Sequence, residues 1–453
     1  MKAEAARRIS DHASMKLNNQ LVILRLIRDE GPISRVDLKE KTRLSWGTIT
    51  TSTKELLGLG IITETGSVTT GVGRRPVELD LNRENNFVLG LQLGTLLVRS
   101  VLVDVKGTVV DELDAPVDAC GTSEEILSCL VKSARQMLRR HSVSRGSLAG
   151  IGIAAPGAVD FSSGVCLYAP HHPQWKNVPL RKRFELAFGV PCFVDHTFNC
   201  FVLSEKLFGF GRGLDNFICV LLGTGMSAGI VLRGEVYRGA DSSAGEFGHT
   251  CIDVDGPLCA CGNNGCIEAY VSGPAIAAAA VDALEGRPES MVASLTGGDP
   301  EKVTAEVLGQ AAREGDDLAR EIFSRMGKVL GVGISNLINI FNPQAIILGG
   351  GVSKAAEFFL PSCLETVKKR AWHASTKDVK VSSLERGEVL GAAAIVLQQL
   401  FSTGQIVQRA AGQAAGGRQA AKRPEGAQRR PRRATEGARR AAGAAHATVR
   451  IRP

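Results

Sequence analysis

Residues 244–270 read AGEFGHTCIDVDGPLCACGNNGCIEAY, and within them His249, Cys259, Cys261 and Cys266 stand as H-x9-C-x-C-x4-C. Zinc takes four nitrogen or sulfur ligands in a tetrahedron, and three Cys with one His form a standard structural set. With every position filled by protein, none is left for water. The spacing therefore predicts a structural Zn(2+) ion rather than a catalytic one. Gly262 and Gly265 let the chain turn tightly around it. The competing reading is a chance cluster of buried thiols, and Cys251 is a spare thiol outside the set. Cys120, Cys129, Cys166, Cys192, Cys200, Cys219 and Cys363 sit singly among apolar neighbours and read as small buried hydrophobes in a reducing cytoplasm.

Towards the N-terminus, LNNQLVILRLIRDE (17–30) has apolar positions at 21, 24, 26 and 27, which is helical spacing. Gly31 and Pro32 end that helix. Ser34 can cap a second, short helix, and Leu44 with Ser45 opens a third that runs to about Leu57. Ile61 and Ile62 start a strand, TGSVTTGVGRR is a turn-rich connection, and PVELDL alternates as a strand. This order predicts a winged helix-turn-helix over 17–82, preceded by a flexible stretch, 1–16. In such modules the third helix enters the major groove of double-stranded DNA with its first residues at base edges. The candidate contacts are Ser34, Arg35, Ser45, Trp46, Thr48, Thr51, Ser52 and Lys54. In the wing, Arg74 and Arg75 can reach phosphates or the minor groove. A small helical dimerisation domain is the blander reading of the same pattern.

From 86 to 402 the texture is α/β. FVLGLQLGTLLVRSVLVDVKG and FICVLLGTGMSAGIVLRG each present an apolar strand pair joined by a Gly-Thr turn. That duplication predicts two lobes with a cleft between them. GEVLGAAAIVLQQLF (387–401) is the last convincing helix. Beyond it, residues 403–453 have no apolar periodicity and are expected to be a disordered basic tail.

The net charge of +8 belongs to that tail: Gly404–Pro453 holds 12 Lys or Arg against 2 Asp or Glu, while the other 403 residues hold 42 against 44. The body is near neutral, so a high isoelectric point says little about what it binds. No run of 18 apolar residues is present and the first residues do not form a secretory signal, so no membrane association and a cytoplasmic location are expected.

Taken together, AGEFGH with CxCGxxGCxE, and upstream GPISRVDL, LS and GxGRRP, resemble the ROK family of bacterial repressors and sugar kinases, over roughly 17–400. The resemblance implies an actin/hexokinase-like (ribonuclease H-like) two-lobed sensor domain behind the winged helix, as in the repressor branch. It implies a sugar pocket lined by Glu246 and His249, with His171, in APHHPQW, where the family carries Asn, and with Asp195, His196 and Asn199 on the far wall.

Departures from the kinase pattern bear on activity. The first turn reads Gln92-Leu93-Gly94-Thr95-Leu96-Leu97 where kinases resemble DxGGTK, and Thr197 stands at the position of the catalytic base. A threonine hydroxyl cannot take a proton from a sugar hydroxyl near neutral pH. The expectation is a transcriptional regulator without enzymatic activity, a repressor of sugar uptake or metabolism genes. It would answer to a sugar or sugar derivative and act on its operator as a homodimer or dimer of dimers. The alternatives are a sugar kinase with an added DNA-binding domain, favoured by the intact Gly223-Thr224-Gly225 turn, and a DNA-binding scaffold with a vestigial sensor.

Overall fold

The computed structural model describes residues 2–66, 77–84, 86–117, 121–169, 172, 174–372 and 378–420. Arg74, Arg75 and His171 lie outside the described residues.

The N-terminal module is built as the pattern indicates. Its first helix, Lys2–Glu30, begins well before the periodic stretch at 17, so part of the segment expected to be flexible is helical. Ser34 starts the helix Arg35–Thr42 through a capping box with Asp37, each side chain bonding the other's backbone N–H. Arg43 closes that helix in the left-handed conformation, and Ser45 caps the third helix, Trp46–Gly58, by accepting from Thr48 N at 3.1 Å. Strands Ile33–Ser34, Glu78–Leu81 and Ile62–Thr65 form a small antiparallel sheet in that order.

Two five-stranded sheets follow, one per lobe. The first runs Cys192–His196, Leu148–Ala155, Phe87–Leu93, Leu97–Asp104, Val109–Pro116. The second runs Glu235–Val236, Met226–Leu232, Phe217–Leu222, Ala345–Gly349, Asp378–Val381. Each has an antiparallel three-strand meander on one side and two parallel strands on the other. The duplicated Gly-Thr strand pairs are therefore the same part of two like sheets.

Helices Thr197–Phe208 and Gly387–Thr403 lie side by side at the junction of the lobes. A side chain at Gly391 would meet the Cys200 carbonyl oxygen at 1.7 Å, so the two backbones touch and only glycine fits. Helix Gly387–Thr403 also holds the winged-helix module. Arg25 donates from Nε to the Phe401 carbonyl at 3.1 Å, and Lys106, in the first lobe, pairs with Asp80 and donates to Gly31 O at 3.1 Å. Apolar residues of the module, among them Ile23, Leu24 and Ile27, share one core with Leu400, Phe401 and Ile406. The chain does not end its order at Thr403: Gln405–Ala420 is a further helix with Ile406 and Val407 buried. The disorder expected from 403 thus does not hold as far as 420.

Candidate functional site

Around the metal loop, a 3-10 turn, Phe247–His249, delivers the histidine, and Cys266 ends the loop just before the short helix Glu268–Val271. Gly262 and Gly265 take φ of +94° and +66°, a region closed to most side chains. The ligand atoms of His249, Cys259, Cys261 and Cys266 all lie within 4.8 Å of one another. Cys259 Sγ is 3.7 Å from His249 Nδ1, and Cys261 Sγ is 3.7 Å from Cys266 Sγ. A tetrahedral ion with bonds of ~2.3 Å to sulfur has edges of ~3.8 Å, so the donor set fits zinc in type and in size. Burial pushes the Cys266 thiol up to about 12, while the backbone N–H of Asn263 draws Cys261 below its usual range. An ion held there would replace both protons and, with all four positions filled by protein, would brace the loop.

Because Nδ1 faces the thiols, His249 turns Nε2 away from the cluster. Glu246 is exposed beside it. Glu268, two residues beyond the last ligand, was not among the expected site residues. Its Oε2 accepts from Met226 N at 2.6 Å, and Cys259 Sγ donates to its Oε1 at 3.9 Å. The metal loop is thereby tied to the Gly223–Gly225 turn, where Gly223 N bonds Gly225 O at 2.9 Å. The carboxylate lay inside the quoted motif, yet no spacing rule connects it to a turn more than forty residues earlier.

The far wall departs further from expectation. Asp195 is fully buried and all its capacity is used: Oδ1 accepts from His196 N and Asn199 Nδ2, both at 2.8 Å, and Oδ2 from Arg238. It shapes the wall and has no oxygen left for a sugar. Arg238 also lies 4.0 Å over the Phe161 ring. His196 is buried, stacks on Phe198, and accepts from Val159 N at Nε2, so its Nδ1 carries the proton. That N–H and Asn199 Oδ1 are buried without a partner among the described residues. On the other segment His172, wholly buried, reaches Gly94 O at 3.1 Å from Nε2. Thr197 Oγ1 donates to Ala155 O at 3.2 Å, so its hydroxyl is held by backbone.

On the winged helix, Trp46, Thr51 and Lys54 are exposed and Thr48 half-buried on one side of Trp46–Gly58. Two expected contacts are corrected: Ser52 is buried in the module, and Ser34 is buried and spends its hydroxyl on the capping box. Arg35 is half-buried and bonds Thr53 at 3.2 Å and Glu64 at 2.9 Å. The helical period alone does not say which polar residue faces the core, and here the face runs through Ile49, Ser52, Thr53 and Leu56.

Comparison with known proteins agrees with this architecture. A model of the ROK family matches residues 88–399. A putative xylose repressor of Caldicellulosiruptor sp. strain Rt8B.4 is 33% identical over 397 residues, covering 87% of this chain and 99% of its own. The crystal structure of a ROK family transcriptional regulator, a homolog of the E. coli MLC protein, superposes with a TM-score of 0.78 at 28% identity, over 88% of this chain and 100% of its own. A ROK family glucokinase from Streptomyces griseus, solved with glucose and AMPPNP, gives 0.62 at 29% identity, over 69% of this chain and 100% of its own. The body without the winged helix is thus shared with kinases, and the whole with regulators. On the extent of these matches, the chain belongs to the ROK family.

Proposed function

We propose that this protein is a sugar-responsive transcriptional repressor whose kinase-like body senses and does not phosphorylate. The observation that carries the reading is Thr197, whose hydroxyl bonds the Ala155 carbonyl at the place where catalysis needs a carboxylate. The similarity to repressors over the full length supports it. Residues 17–82 would bind the operator through Trp46, Thr48, Thr51 and Lys54. Two copies in a homodimer would meet successive half-sites. His249, Cys259, Cys261 and Cys266 would hold one structural zinc ion, and Glu246, with Nε2 of His249, would meet the hydroxyls of a sugar.

Selection of bound duplexes from a random pool, repeated with xylose, glucose and N-acetylglucosamine, tests the whole reading. One enriched motif whose affinity falls at least tenfold with one sugar supports it. ADP release at rates typical of kinases, about 1–100 per second, would overturn it in favour of the kinase, to which the closed Gly223–Gly225 turn is favourable. Enrichment that no sugar alters would favour the scaffold.

A further inference from the structure

Cys251 lies outside the metal set, yet the fold sets it opposite one of the ligands. Cys251 and Cys266 face each other as an antiparallel pair. On either side of them, Ile252 N bonds Gly265 O at 2.9 Å and Ile267 N bonds Thr250 O at 3.0 Å. The two cysteines therefore exchange no backbone hydrogen bond with each other. Theirs is the narrow type of pair, with Cα atoms ~4.5 Å apart and both side chains on one side of the ribbon. Disulfides span Cα separations of about 4.4–6.8 Å, so the backbone already stands where such a bond can close.

We propose that Cys251 and Cys266 form a reversible disulfide through which a peroxide releases the zinc of the loop. Among the described cysteines, Cys251 and Cys261 are exposed and Cys266 is buried. Cys261 would be occupied as a ligand, which leaves Cys251 as the accessible thiol for an oxidant to meet. Hydrogen peroxide converts such a thiol to a sulfenic acid, with one water released. The Cys266 thiolate then attacks the Cys251 sulfur: the S–S bond forms, the S–O bond breaks, and the departing hydroxide takes a proton from solvent to become a second water. Each sulfur has given up one electron, and peroxide has taken both. Cys266 is thereby withdrawn from the ligand set, leaving His249, Cys259 and Cys261. It also stands two residues before Glu268, whose Oε2 accepts from Met226 N at 2.6 Å, so the tie between loop and Gly223–Gly225 turn loosens with it.

The release rests on the zinc reading above. Its test is the reduced, full-length chain, loaded with zinc and treated with hydrogen peroxide, beside Cys251→Ser. The expected result is loss of about one zinc ion per parent chain, read with a chromogenic chelator, and release at least about fivefold slower from the variant. Cleavage before Asp253 and Asp255 parts Cys251 from Cys259, Cys261 and Cys266. Mass spectrometry of the unreduced fragments should then find Cys251 linked to Cys266. A dithiol reductant with added zinc should reverse both changes. Equal release from parent and variant overturns the proposal, as does a Cys261–Cys266 bond with Cys251 left unoxidised. Should Cys251→Ser fold poorly, the fragment map of the parent decides alone. If the reduced parent holds no zinc while the Cys251–Cys266 bond still forms, the zinc reading fails instead.

Discussion

Arg238 sets Nε at 2.9 Å and Nη2 at 2.7 Å from the same oxygen of Asp195, joining the second lobe to a carboxylate buried at the edge of the first. Removing one partner of a buried pair leaves the other charge without compensation, at a cost of about 3–5 kcal/mol. Arg238→Met should therefore lower unfolding stability in urea by that order. Adding Asp195→Asn should restore more than half of it, since the stranded charge is then gone. A single variant as stable as the parent would show that the pair does not clasp the lobes.

The metal loop gives a second prediction. Cys261→Ser or Cys266→Ser should abolish bound zinc, read by elemental analysis, and lower the melting temperature by at least about 5 °C. A chelator should do the same to the parent protein. Full metal content in both variants would mean that other residues hold the ion.

Glu205 predicts a pH dependence. It is wholly buried, and loss of hydration raises its carboxyl above the ordinary 4.5, although Ser382 Oγ and Phe210 N donate to it. The folded state therefore binds the proton more tightly than the unfolded state. The stabilisation is complete below 4.5 and is lost as pH rises through the folded value. Glu205→Gln should remove that slope, so its stability relative to the parent grows as pH rises above 4.5. Parallel stability curves for the two proteins would contradict this.

Ser45 and Lys54 separate folding from recognition. Ser45 caps the third helix, so Ser45→Ala should cost about 1 kcal/mol of stability besides any loss in DNA affinity. Lys54→Gln removes an exposed cation. It should leave the melting temperature unchanged while reducing the salt slope of operator binding by about one unit. An unchanged slope would place Lys54 off the DNA.

Much of this was legible in the sequence. Spacing alone picked out the four residues whose ligand atoms the fold brings together, and the capping residues Ser34 and Ser45 marked the helix starts because caps are local chemistry. The Gly-Thr strand pairs announced two like lobes. What stayed hidden depends on residues meeting from afar. Asp195 looked like a ligand contact until Arg238, 43 positions on, took its oxygen. Ser52 looked exposed because a threonine-rich helix has no sharp apolar stripe. Among the described side chains of helix Gln405–Ala420, Ile406 and Val407 are buried and Ala410 packs against the core, too few for a periodic signal.

The backbone contact at Gly391 has a mechanical consequence. With no side chain between them, helices Thr197–Phe208 and Gly387–Thr403 cannot slide without both moving, so the second follows whatever displaces the first at His196 and Thr197. At 17 residues it is a rod of ~25 Å. A tilt of ~5° about its beginning swings its far end, where Arg25 is hooked, by ~2 Å. The winged helix thus rides on the long arm of a lever whose short arm lies at the cleft wall.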